Sequence, residues 1–254
     1  MLSRRIAFLL IAILVLGTNV NAKKTIKICM DNSYWYPFTF LKDNKPSGVH
    51  VDIVTMALKA SGYDLYTIKS GPWRRCLKEA QFGMADAVMT ASYKPERADY
   101  LYYPEDAQSS SPSKWRVSQV GYSAVLLPGA NFNGNMSHLP QPVYVPHGYS
   151  IGDDIKKSGV TVDSTFYSDL RNFNRLNKLR KGSLVTITTL AQAFLRKNPS
   201  YQMVIYPKEI KSKSYFLAFS KKSFLSPSEQ QAIWEKIRLI RKKELNNIMV
   251  KYVK

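Results

Sequence analysis

Along the chain the hydrophobic and polar positions change period several times, and each change marks an element. Thr25 to Met30 alternates polar and apolar residues, as a strand with one buried face does. A Pro-containing aromatic loop, DNSYWYPFTF, and the turn-rich KDNKPSG follow. Val51, Ile53, Val54 and Leu58 then recur at helical spacing, and Gly62 supplies a helix stop. The pattern predicts a second strand over Tyr63 to Ile68, a helix over Trp73 to Phe82 after Gly71 and Pro72, and a third strand over Asp86 to Thr90. This alternation of strand and helix predicts a parallel sheet with covering helices.

The stretch from Glu105 to Lys114, rich in Ser, Pro and Gln, reads as a linker or crossing point, and a second unit begins after it. Tyr122 to Leu127 is apolar, and QPVYVPHGYSIGDDIKK reads as a strand, a Gly-flanked turn and a helix start. LRNFNRLNKLRKGS predicts a basic amphipathic helix with Leu170, Phe173, Leu176 and Leu179 as its apolar stripe. A strand over Leu184 to Thr188, a helix to about Lys197, and strands around Met203 to Tyr206 and Tyr215 to Phe219 follow. SPSE makes Ser226 an N-cap, with Pro227 in the first turn and Glu229 completing a capping box. The last helix is expected to bury Ile237, Ile240, Leu245 and Ile248 and turn its charges to water.

The first residues change the picture of where the chain works. MLSRR, the apolar run Ile6 to Gly17 and the small residues before Lys23 have the three parts of a secretory signal, so residues 1–22 are expected to be removed. The apolar run is short of the ~20 residues that span a bilayer. Loss of Arg4 and Arg5 takes the formal charge from +19 to +17. A positive field favours anionic partners. Nucleic acid is not expected among them, because the basic residues are spread along the chain without a nucleic-acid-binding motif. No His/Cys cluster has metal-ligand spacing, and no cofactor is implied.

YWYPFTF with GVHVDIV, then PWRRCLKEAQFGMADAVMTASYKPERADYLYYP, then PHGYSIG and the C-terminal YFLAFSKK region, taken in that order, resemble the family 3 extracellular solute-binding proteins. These are the periplasmic binding components of polar amino-acid ABC importers. The resemblance implies an α/β fold of the periplasmic-binding-protein-like type II class, with two lobes joined by a two-strand hinge and the ligand cleft between them. Lobe one would comprise 23–110 plus 213–254, and lobe two 111–212. The implied function is periplasmic binding of a small polar or anionic solute for an ABC permease, by a monomer without enzymatic activity. A solute-sensing module reporting to a partner protein is the alternative. A lyase resembling cyclohexadienyl dehydratase on the same fold is a further one.

By the same resemblance Arg97 is the carboxylate contact, for which a planar guanidinium fork is suited. Thr90 and Ser92 would add donors, although the segment between strand and Arg97 is a residue shorter than in well-known relatives. Trp35 and Trp73 fall at the aromatic positions that sandwich a ligand side chain, and each also fits ordinary core packing. Arg75 either reaches the cleft or is solvated. His147 is expected as a solvated loop residue, with Gly148, Tyr149 and Ser150 at a turn that presents backbone donors. Binders of α-amino acids hold the ammonium with an Asp that has no counterpart between Gly182 and Phe194, where Thr188 and Thr189 offer only neutral acceptors. An anionic or neutral ligand is favoured on that ground, with Asp31, Glu105 and Asp153 left as acids that would have to act from elsewhere. A right-handed crossover would carry the helix with Cys76 back over the strand with Cys29, and a subset of the family has the same strand-one Cys with PWxRC. A disulfide between them suits an oxidising compartment.

Overall fold

The computed structural model describes residues 24–109 and 112–252. The expected signal segment, and Ser110 and Ser111 of the expected linker, lie outside the described residues. Strands and helices follow the order β1 (Ile26–Asp31), β2 (Phe40–Lys42), β3 (Lys45–Ser47), α1 (Val49–Ala60), β4 (Tyr66–Gly71), α2 (Trp73–Gln81), β5 (Ala87–Ser92), α3 (Pro95–Ala98) and β6 (Leu101–Tyr102). They continue with β7 (Ser118–Leu126), β8 (Val143–Tyr144), α4 (Ser150–Lys157), β9 (Val162–Asp163), α5 (Asp169–Leu179) and β10 (Ser183–Ile187). The last four are α6 (Thr188–Lys197), β11 (Val204–Ile205), β12 (Lys211–Ser220) and α7 (Pro227–Tyr252).

One curled sheet runs in the order β4-β1-β5-β12-β7-β10-β8-β9. Its two ends are parallel: β4, β1 and β5 at one, and β10, β8 and β9 at the other. Between them β12 runs antiparallel to both neighbours. Lys211 to Tyr215 pair with β7, and Tyr215 to Phe219 pair with β5. The chain therefore crosses between the two ends of the sheet on β7 and β12. All six residues of β5 are buried, as a strand covered on both faces requires.

The reciprocal capping box at α7 forms as expected. The Ser226 N–H donates to Glu229 Oε2 at 2.7 Å, and the Glu229 N–H donates to Ser226 Oγ at 3.3 Å. Ile237 and Ile248 are buried, while Ile240 and Leu245 pack half-buried against the same core. The α5 stripe is a correction. Its buried positions are Asp169, Asn172, Phe173 and Leu176, and Leu179 is 51% exposed. Positions i, i+3, i+4 and i+7 share a helix face, whereas steps of three alone drift off it. Among the described residues no helix is long and apolar enough to cross a membrane.

Candidate functional site

Residues from both ends of the sheet meet at a small cavity of about 30 Å³. Trp35, Trp73, Thr90, Ser92, Arg97, Tyr149 and Ser150 line it, and so do Asp31, Thr39, Met89 and Tyr215. The expected site residues are thus brought together. Gly148 is absent from the lining and contributes its carbonyl to Arg97 instead.

Arg97 closes the short α3 and is 5% exposed. Its Nη1 donates to the Ser92 carbonyl at 3.0 Å and to Ser92 Oγ at 3.3 Å, and its Nη2 donates to the Gly148 carbonyl at 3.2 Å. The guanidinium carbon lies 5.2 Å from the centre of the Trp73 ring. A surface pair with Glu96 does not form, since Glu96 faces Lys94. Among the described residues no carboxylate comes within ion-pair distance of Arg97. The bonds it makes go to neutral oxygens and leave donors over from the five of a guanidinium, so the positive charge is held in place without being neutralised.

Thr90 has φ 63°, a left-handed conformation that a β-branched residue adopts only under constraint. The β5–β12 register shifts here: Phe216 faces Ala91 while Ala218 faces Val88, so β5 carries an extra residue at Met89 and Thr90. A bulge bends a strand and re-aims its side chains. It sits where both of those residues line the cavity.

Contacts across the cavity tie the two ends of the sheet together. Ser92 Oγ and Ser150 Oγ are 2.7 Å apart, and Lys213 on β12 donates to Ser150 Oγ at 2.9 Å and to Asp154 at 2.6 Å. The Tyr149 hydroxyl donates to Asp31 Oδ2 at 2.7 Å. Lys94 pairs with Asp153. Arg74 Nη1 donates to His147 Nε2 at 2.9 Å, because His147 Nδ1 donates to the Ser164 carbonyl at 3.0 Å and so carries the proton. His147 thus sits half-buried in its loop and bridges Arg74 to the Ser164 carbonyl. Arg75 is the solvated neighbour, 71% exposed and paired with Glu79.

Asp31 gives the cavity its negative side, and Asp169 lies buried near it. Asp31 lines the cavity, and burial raises its pKa against the opposing hydrogen bonds from Tyr149 and Ser33. Asp169, the first residue of α5, is pushed up to about 7 by burial, with the nearby Asp31 charge adding to the rise and the Thr186 hydroxyl opposing it. Of the acids considered from sequence, Glu105 is 78% exposed beside Lys114 and Asp153 is taken by Lys94. Asp31 alone of the three reaches the cavity, and the lack of an acid between Gly182 and Phe194 therefore leaves the cavity with a carboxylate. Asp169 escaped the sequence reading because apolar periodicity was followed on α5. Its place at i, i+3, i+4 with Asn172 and Phe173 is the signal that would have found it.

Cys29 and Cys76 are disulfide-bonded with a Cα–Cα distance of 5.2 Å, joining β1 to α2 beneath Trp73. Among the described residues no group of His, Cys, Asp and Glu side chains forms a metal site.

A curled α/β sheet whose two ends meet over a cavity defines a type II periplasmic-binding-protein-like fold. The family model of the bacterial extracellular solute-binding proteins, family 3, matches residues 26–252, and the chain belongs to that family. Solved structures share the fold at low identity. An ancestral arginine-binding protein bound to arginine aligns at 20% identity and TM-score 0.71, over 91% of this chain and 98% of its own. A histidine kinase sensor domain with similarity to periplasmic binding proteins aligns at 16% and 0.73, over 91% and 95%. The ancestral amino acid-binding protein AncCDT-1, a precursor of cyclohexadienyl dehydratase, aligns at 18% and 0.68, over 91% and 96%. No curated protein sequence matches the chain.

Proposed function

We propose that the chain is exported to the periplasm by residues 1–22, binds a small amino-acid-like solute as a monomer, and delivers it to an ABC permease. Arg97 holds the anionic group and Asp31 the ammonium, with Trp35, Trp73 and Tyr149 around the remainder. The carrying observation is that Arg97 and Asp31 line one cavity without being paired to each other. This revises the sequence preference for a ligand without a cation, because a desolvated ammonium has a carboxylate to meet. Residues 23–110 with 213–254 form one lobe and 111–212 the other, hinged where β7 and β12 cross. A solute touching both lobes stabilises the closed arrangement by its differential affinity for it.

The test is a thermal-shift screen of the chain without residues 1–22 against amino acids, dicarboxylates, opines and small peptides. A bound solute raises the melting temperature, increasingly so with concentration above saturation. Every stabilising solute should lose its effect in a folded Arg97→Ala variant; unchanged shifts would refute the assignment. The sensor-domain likeness fits a second reading, in which the same site reports occupancy to a partner protein. Loss of solute uptake on deletion of the gene supports import, and intact uptake with a lost response supports sensing. We read the site as binding and not as catalysis, so prephenate is expected to be left unchanged.

A further inference from the structure

Outside the inner cavity lies a second chamber of about 560 Å³, open towards solvent. Asp31, Trp73 and Tyr149 line both, so the two spaces adjoin at these residues. Arg74, His147 and Arg171 line only the outer one, and among its lining residues Asp31 is the sole acid.

Two arginines there keep their charge free, in contrast to their neighbours on the same helices. On α2, Arg75 is paired with Glu79, whereas Arg74 donates to His147 Nε2. On α5, Arg175 is paired with Asp163, whereas Arg171 lies 5.9 Å from the centre of the Phe166 ring. Among the described residues neither Arg74 nor Arg171 has a carboxylate within ion-pair distance.

The way from Arg97 to Arg74 is short. Gly148 accepts from Arg97 through its carbonyl, and a Cβ on Gly148 would stand 3.2 Å from Arg74 Cγ and 3.7 Å from Trp73 Cδ1. Charges along the joined chambers therefore run positive at Arg97, negative at Asp31, and positive at Arg74 and Arg171. A ligand complementary to that order is anionic, cationic, anionic.

We propose that the outer chamber is a second anion subsite and that the solute is an amino-dicarboxylate with its amine between the two acids. One carboxylate meets Arg97, the amine meets Asp31, and the other carboxylate meets Arg74 and Arg171. This rests on the binding role proposed above and adds the class of solute. Guanidinium–carboxylate bonds are charge-assisted, and neither Arg74 nor Arg171, both exposed, has a carboxylate in the chain to give up.

Isothermal titration with matched pairs tests it: L-glutamate against L-glutamine, and N-(1-carboxyethyl)-L-norvaline against L-norvaline. The dicarboxylate of at least one pair should bind at least tenfold more tightly than its partner. In the Arg74→Gln/Arg171→Gln double variant that ratio should fall to about one, and circular dichroism should report an unchanged fold. A ratio near one in the unsubstituted protein, or a preference that survives the double variant, overturns the proposal. If the monocarboxylates bind in an Arg97-dependent way without any preference for the second acid, the outer subsite fails and the binding role stands. If no solute of either kind binds, both fall together.

Discussion

The two sides of the molecule that meet at the cavity treat their polar groups differently. On the β5 and α3 side, Arg97 is fixed by hydrogen bonds to Ser92 and Gly148, Thr90 is held in a left-handed turn, and the disulfide pins the neighbouring α2 to β1. On the β10, α5 and α6 side, Asp169 Oδ1, both amide atoms of Asn172 and Thr189 Oγ1 are buried without a hydrogen bond within the chain, and Trp35 Nε1 in the cavity lining is one further such atom. A buried polar group left unpaired costs about 1–3 kcal/mol. Arg97 is thus fixed by its neighbours, whereas the second side holds several buried polar atoms without a partner in the chain.

The disulfide is the sharpest asymmetry and carries the largest expected effect. Bridging residues 47 apart in sequence, it restricts the unfolded chain, and such bonds contribute about 2–4 kcal/mol. The Cys29→Ser/Cys76→Ser variant should lose that much in urea unfolding and should bind solute more weakly, since α2 carries Trp73 and Arg74. A loss below about 0.5 kcal/mol would show that the first side holds without the bond.

Asp169 tests the second side through pH. Its pKa is raised to about 7 in the folded protein from an ordinary value of 3.8, so between these values the folded state binds the proton more tightly. Stability from this group is present at low pH and is lost as pH rises through about 4 to 7. Asp169→Asn should therefore be more stable than the unsubstituted protein at pH 8, by about 1–3 kcal/mol, and the gap should close below about pH 4. The helix dipole favours a charged Asp at the start of α5, but by only ~0.3–1 kcal/mol, too little to reverse the sign. Buried His50 is held down to about 3 and gives the opposite slope, which is common to both proteins and cancels in the difference. Urea unfolding across pH reads it, and a variant less stable at pH 8 would mean that the carboxylate is compensated.

This contrast also separates what could be read in the sequence from what could not. The first side was legible because its parts are local: Trp73 and Cys76 lie a turn apart, Thr90, Ser92 and Arg97 share one segment, and Gly62 and SPSE mark helix ends. The bulge at Thr90 was not, since nothing short of the β12 register shows that β5 carries an extra residue. Following leucines along α5 placed Leu179 inside and passed over Asp169 and Asn172, because a periodicity built on apolar residues cannot see a buried polar one. Arg74 and Arg75 are adjacent on α2 and differ only by 100° of helix. Which of them faces His147 depends on a partner on α4's side of the sheet, far away in sequence.

The smallest expected effect lies where the two sides touch. Ser92 is bonded to Arg97 on one side and to Ser150 on the other, and Ser150 receives Lys213 from β12. If these bonds act as a unit, Arg97 is coupled to β12, the strand that joins the two ends of the sheet. Ser92→Ala and Ser150→Ala should each weaken solute binding by about 0.5–1.5 kcal/mol, the net worth of one hydrogen bond. The double variant should cost less than their sum, because each single change already breaks the bond they share. A titration cycle over the four proteins gives the coupling directly. Strict additivity would mean that Ser92 serves Arg97 alone, and that the second side meets the first without helping to hold it.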